Sequence, residues 1–188
     1  AAAWWPPGHA LRFPGVLQRI GVCFAVASLL AIYTPRRAWA IAIVALLAGY
    51  TVLLLAGGTL AKWDSIVDHV DSAVFGSHVW ETNAATGQRH DPEGLLSTLP
   101  AIANSLFGLC AGVWLRERRF KHLLVAGVAA VALGWLWSYW IPFNKNLWTP
   151  SFVLWTSGWA TLALLACYWL VDVRGWPPLG RRFGMNAI

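Results

Sequence analysis

The stretch Asp91-Pro92-Glu93-Gly94, followed by LLSTLPAIANSLFGLCAGVWL over residues 95–115, sets a polar turn directly against an apolar run. About 20 apolar residues at ~1.5 Å each are enough to cross the ~30 Å hydrocarbon core of a bilayer. A polar loop therefore enters a membrane here. Working outward, four further blocks of the same kind run over Gly15–Thr34, Ala38–Ala56, Leu123–Ile141 and Ser151–Val171. With residues 95–115 they predict an all-α fold, a polytopic transmembrane helix bundle of five crossings, with residues 59–94 as a long outward loop. Phe183–Ile188 reads as the start of another helix. The chain opens on Ala with no basic leader, so residues 1–188 are expected to form a single transmembrane domain cut at both ends.

Composition agrees. The chain is 58% hydrophobic and 12% charged, against about 25% charge in a soluble domain. The net charge of +6 comes from short basic clusters between apolar blocks, which serves topology rather than nucleic-acid binding. With alternating helices, one side holds Arg36, Arg37, Arg116, Arg118, Arg119, Lys121, Arg174, Arg181 and Arg182, nine cations against five on the other. The positive-inside rule places the nine in the cytoplasm and turns the 59–94 loop outward.

Six of the eight acidic residues lie in that loop: Asp64, Asp68, Asp71, Glu81, Asp91 and Glu93. Within it, Trp63–Phe75 has the period of a short amphipathic helix, with Trp63, Ile66, Val67, Val70 and Val74 on one face and Asp64, Asp68 and Asp71 on another. On α-helical spacing, Gly108 and Gly112 form a small-residue stripe with Ala101 and Ser105, suited to close packing of a second helix.

The outward side gathers the candidates for chemistry. His9, Arg12, Arg19, His69, His78, His90, Asp91, Glu93, Asn144, Lys145 and Trp148 all fall there. His90 beside Asp91 puts an imidazole next to a carboxylate, a pairing suited to a base working near neutral pH. The same residues also read as a helix start, with Asp91 as cap, Pro92 in the first helical position and Glu93 at the positive dipole end. Asn144-Lys145 suits a phosphate or a polarised carbonyl, and equally a turn with a snorkelling lysine. Arg19, an ionisable group inside a membrane helix, is expected to face the bundle interior or the interface. Cys23, Cys110 and Cys167 lie in apolar segments and serve packing. The histidines lack HxH or HExxH spacing, so no metal is expected. No nucleotide loop or nucleophile elbow is present.

Four motifs carry a resemblance. Leu11-Arg12-Phe13-Pro14-Gly15-Val16-Leu17-Gln18-Arg19-Ile20, Asp91-Pro92-Glu93-Gly94-Leu95-Leu96-Ser97-Thr98, Asn144-Lys145-Asn146-Leu147-Trp148-Thr149 and Gly184-Met185-Asn186-Ala187-Ile188 follow one another as in the heparan-alpha-glucosaminide N-acetyltransferase family, which the chain resembles over nearly its whole length. The resemblance implies a membrane acyltransferase that moves an acetyl group from cytoplasmic acetyl-CoA to the amine of a glucosamine-type sugar or glycan on the far side. Under that reading, and from the chemistry that acetyl transfer needs, catalysis is expected of His90, Asp91 and Glu93, and substrate binding of Arg19, Asn144, Lys145, Trp148 and Asn186. The family's proposed catalytic histidine lies upstream of the first motif, and His9 lacks its neighbours. Alanine at Asp91 is expected to abolish transfer in a folded protein. The implied setting is a bacterial inner membrane with residues 59–94 in the periplasm. The expected partners are the bilayer and the acceptor, with no nucleic acid and with self-association left open. An amino-sugar transporter or binding protein fits the same acidic outer vestibule.

Overall fold

The computed structural model of the chain describes residues 11–177. The Gly184–Ile188 motif with Asn186, together with His9, Arg181 and Arg182, lies outside them. The order is α1 (Val16–Tyr33), α2 (Arg36–Ala56), α3 (Ile66–Phe75), β1 (Glu81–Thr82), β2 (Arg89–His90), α4 (Leu95–Arg116), α5 (Phe120–Trp137) and α6 (Pro150–Tyr168), which runs on into a π-turn over Trp169–Val173. Among the described residues five helices are long and apolar enough to cross a membrane, so the all-α bundle read from the sequence stands.

Exposed and interior surfaces separate along the helices. Leu17, Phe24 and Ile32 on α1, Ile41, Val44 and Val52 on α2, and Val125, Val128 and Leu133 on α5 are exposed, as a hydrocarbon solvent permits. Inside, α4 packs against α1, α2 and α6, and α5 lies along α6. The α5–α6 pair is set by glycine. A Cβ at Gly134 would meet the Trp155 backbone nitrogen at 2.6 Å, and one at Gly158 the Val131 nitrogen at 2.7 Å. The expected stripe behaves differently: a Cβ at Gly108 or Gly112 would meet nothing within 4 Å. No described helix packs closely there, and the two glycines line a cleft instead.

Cross-links fix the ends. Arg36 pairs with Glu117 at 2.6 Å, joining the α1–α2 turn to the end of α4 as alternating helices require. On the outer side, the buried Tyr50 hydroxyl donates to the Leu147 carbonyl at 2.6 Å and ties α2 to the α5–α6 loop. Helix boundaries shift where local signals outweigh hydropathy. Pro35 caps α2, so the helix starts at Arg36 rather than Ala38. The α4–α5 turn is only Glu117–Arg119, with Arg118 at φ +55°, which puts Lys121 and His122 on the first turn of α5. At its far end α5 stops at Trp137, and tight turns over Ser138–Ile141 replace the expected last helical turn.

The outer loop is built rather than structureless. Ser65 caps α3 by accepting the Asp68 N–H at 3.2 Å, so the helix starts at Ile66. A two-residue hairpin follows, pairing Glu81 with His90 and Thr82 with Arg89. The amphipathic reading of α3 holds in part: Val67 is buried and Asp64 exposed as expected, but two of the carboxylates are not on a solvent face. Asp68 and Asp71 are buried while Val74 is exposed, because α3 packs its carboxylates inward against α4 and β2.

Candidate functional site

The site begins at the turn that ends the outer loop. Helix α4 starts at Leu95 with Gly94 as its cap, so Asp91 is not the cap and Pro92 is not the first helical residue. The capping acceptor comes from elsewhere: Asp71 Oδ1 takes the Leu95 N–H at 2.8 Å. This frees Asp91 for another task. Fully buried, it accepts Arg12 Nε at 2.9 Å and Arg12 Nη2 at 2.6 Å, the Trp80 N–H at 2.8 Å and the Glu93 N–H at 2.9 Å. Arg12 also bonds the Glu93 carboxylate and stacks over Trp80 at 4.8 Å. Burial opposes the Arg12 charge, but the two carboxylates outweigh it and hold its pKa above the ordinary value.

Arg19 enters from α1. Buried, it donates from Nη2 to the Pro92 carbonyl at 2.7 Å and to Ser97 Oγ, and its guanidinium lies 5.1 Å from the Trp148 ring. Beside it opens a cavity of about 680 Å³ between α1 and α4. Arg19, Glu93, Lys145 and Trp148 line its outer end, with Cys23, Asn104 and Ser105 deeper. Asn104 is anchored by Ser157 Oγ, which donates to its Oδ1 at 2.7 Å. A second cavity of about 700 Å³ continues toward the opposite, basic end of the bundle past Gly108 and Gly112 to Arg36 and Arg116. The two share Ala31 and Leu109, so together they follow one α1–α4 seam across the bundle.

Four of the sequence candidates thus meet at one cavity end: Arg19, Glu93, Lys145 and Trp148. Asp91 stands one layer behind, reaching Glu93 through Arg12. His90 turns the other way. Its Nδ1 lies 2.6 Å from Asp68 Oδ1, both groups are buried, and the ring meets the Trp63 edge at 5.8 Å. The imidazole next to Asp91 in sequence is therefore partnered by Asp68, 22 residues away. Asn144 shapes its loop, its Oδ1 accepting the Asn146 and Leu147 N–H groups at 2.9 and 3.2 Å. That turn presents Lys145 and holds Trp148 at φ +52°. Asp68 and Asp71 were missed as site residues, and Arg12, although among the outward-side candidates, was given no role. The signal for Asp68 and Asp71 was their three-residue spacing, which puts both on one face of α3.

The buried carboxylates titrate in opposite senses. Burial alone would raise Asp68, but hydrogen bonds from His90 and Ser65, the His90 charge and the Trp63 N–H hold it below the ordinary range. Asp71 is pushed up to about 6, first by burial and then by Asp91 and Asp68, against the Leu95 N–H and Arg19. A folded pKa above the unfolded one means that the folded state binds the proton more tightly. Asp71's contribution is then greatest below the ordinary value of about 4 and is lost as pH rises through about 6. Unfolding in detergent at both ends of that window should show the wild type losing about 3 kcal/mol relative to Asp71→Asn as pH rises. A constant difference between the two proteins would rule out Asp71 as the titrating group.

Among the described residues no group of three or more His, Cys, Asp or Glu side chains could hold a metal. No family model matches the chain. Curated relatives do. The heparan-alpha-glucosaminide N-acetyltransferase of Homo sapiens is 36% identical over 157 residues, 75% of this chain and 21% of the human protein. Its counterpart in Mus musculus is 31% identical over 142 residues, 64% of this chain and 21% of the mouse protein. The chain spans about a fifth of the length of the curated relatives it matches. By these matches, the chain is similar to part of the heparan-alpha-glucosaminide N-acetyltransferases of human and mouse.

Proposed function

We propose that the chain contributes the outer part of the reaction site of an integral membrane acyltransferase, which carries an acetyl group from acetyl-CoA to the amine of a glucosamine-type sugar. The observation that carries this reading is the α1–α4 seam, basic at its cytoplasmic end with Arg36 and Arg116 and polar at its outer end with Arg19, Glu93, Lys145 and Trp148. A donor with a phosphorylated end and a long thin arm matches such a seam, with its thioester at the outer end. The relatives' names supply the acceptor class.

Transfer needs the amine to lose a proton, the thioester carbonyl to be polarised, and the two to be aligned. Glu93 is the carboxylate on the cavity wall and takes the amine proton as the new C–N bond forms. Asp91 acts through Arg12, which fixes the Glu93 carboxylate. Lys145 and Arg19 face the carbonyl oxygen as charge builds on it. The C–S bond then breaks, and the thiolate leaves with the coenzyme. Arg19 Nε and Trp148 Nε1 are buried without a hydrogen-bond partner among the described residues. Unpaired donors are costly, so an acceptor oxygen at this end has a physical reason to bind. His90, paired with Asp68, supports the loop that carries Asp91. The positive-inside count supports a 59–94 loop on the side away from the cytoplasm, which in a bacterial inner membrane is the periplasm.

The test uses the full-length protein in sealed vesicles, with labelled acetyl-CoA on the cytoplasmic side and glucosamine on the other. N-acetylated product is expected. Glu93→Gln should lower its rate by about 100-fold or more with an unchanged melting temperature, since Gln keeps the size of the side chain. Saturable glucosamine movement with no product would convert the seam into a transport path and overturn the assignment.

A further inference from the structure

At the cytoplasmic end of the bundle, a groove of about 380 Å³ lies between the end of α4 and the start of α5. Trp114, Lys121 and His122 form its rim, and Val125 and Ala126 its floor. The Trp114 and His122 rings stand 6.0 Å apart across it. Positive charge on this side is what topology demands, but topology does not demand a groove, nor cations set above an apolar floor.

The local charges differ in whether they are already answered. Glu117 takes both Arg36 at 2.6 Å and Arg119 at 3.3 Å. Among the described residues Lys121 and His122 make no ion pair. Below them the apolar surface continues along the lipid-facing side of α5, where Val125 is 67% and Val128 52% exposed. From the interface inward, the order is therefore unanswered cation, indole, then an open aliphatic strip. An anionic phospholipid has the same order: phosphodiester, glycerol ester level, acyl chain. Basic pockets between membrane helices on the cytoplasmic side commonly take such headgroups. A soluble phosphate would use the cations and leave the floor bare. A zwitterionic lipid would cover the floor without supplying net negative charge.

We propose that this groove binds one anionic phospholipid, its phosphate against Lys121 and His122, its glycerol level beside Trp114, and one chain along Val125 and Val128. The site is separate from the α1–α4 seam, so it stands or falls independently of the acyl-transfer reading.

Native mass spectrometry of the full-length protein, in mild detergent with equimolar phosphatidylglycerol and phosphatidylcholine, tests the assignment. One phosphatidylglycerol should be retained in preference. Lys121→Gln should lower that preference about five-fold, and adding His122→Gln should bring it close to the phosphatidylcholine level. Arg174→Gln removes a cytoplasmic cation that stacks on Trp169 instead, and should leave retention unchanged. Melting curves for each variant establish that loss of lipid is not loss of fold. Equal retention of the two lipids by the wild type, or an unchanged preference in the double variant, overturns the proposal. So does equal capture of glycerol phosphate, which would make the groove a simple anion site. Absence of retained lipid would mean that another helix or a second copy covers the groove, and overturns it as well.

Discussion

Asp91→Ala should unfold the outer layer, and not merely silence it. The sequence alone favours the opposite outcome, an inactive but folded protein, because Asp91 reads there as a catalytic or capping carboxylate at a loop end. In the structure its side chain is fully buried and accepts four hydrogen bonds, two from the Arg12 guanidinium and one each from the Trp80 and Glu93 backbones. Alanine would strand Arg12 Nε and the Trp80 and Glu93 N–H groups, leaving Arg12 Nη2 to Glu93 alone. Removing one partner of a buried ion pair costs about 3–5 kcal/mol, since the remaining charge is left uncompensated. Arg12 keeps Glu93 as a partner, so the low end of that range applies to the charge, but the two orphaned N–H groups add to it. The expected result is a lower melting temperature in detergent, with new tryptic cleavage at Lys62, just before α3, and at Arg89, within the hairpin. Glu93→Gln should show neither. Equal protease resistance in wild type and Asp91→Ala would refute the hub role and return Asp91 to the reaction itself.

What the sequence made legible follows from the range of the forces involved. Five crossings were readable because hydropathy acts over whole blocks of residues, and the five helices lie where the blocks do. Ends were displaced because they obey short-range chemistry: Pro35 as a cap, the left-handed Arg118 in a three-residue turn, and the tight turns after Trp137. The stripe at Gly108 and Gly112 illustrates another limit. Small residues allow close approach, but what the facing helix presents decides where it occurs. Here α5 and α6 meet at Gly134 and Gly158, while Gly108 and Gly112 open a cleft. The outer layer was the least legible. An amphipathic pattern assigns charge to solvent, and nothing local says that Asp68 will meet His90, or that Asp71 will cap a helix 24 residues on. The cavity end was only partly legible. The motifs contained Arg19, Glu93, Lys145 and Trp148, and Arg12 as well, but nothing in them gave Arg12 its role of joining Asp91 to Glu93.

The glycine of the Asp91-Pro92-Glu93-Gly94 turn carries the second large effect. Gly94 has φ −66° and ψ −179°, a conformation open to any residue, so its backbone does not require glycine. Space does. A Cβ at this position would fall 1.6 Å from Asp71 Oδ2 and 2.3 Å from its Cγ. No small adjustment relieves that overlap, because Asp71 is itself buried and its other oxygen holds the Leu95 N–H. Gly94→Ala must therefore evict the Asp71 carboxylate, losing the cap of α4 and moving the turn that carries Glu93. Overpacking of this kind costs about 1–3 kcal/mol, and loss of a helix cap adds about 1 kcal/mol. A sharp fall in melting temperature together with loss of acetyl transfer is the expected result. Steric origin has its own signature, since shortening Asp71 should make room. Asp71→Ala alone should be destabilising through the lost cap, yet Gly94→Ala in that background should add little further cost. A double-mutant cycle would then give a coupling of more than about 1 kcal/mol. Additive losses would mean that Gly94 is needed for something other than the room it leaves for Asp71, and would detach the turn's glycine from the capping carboxylate of α3.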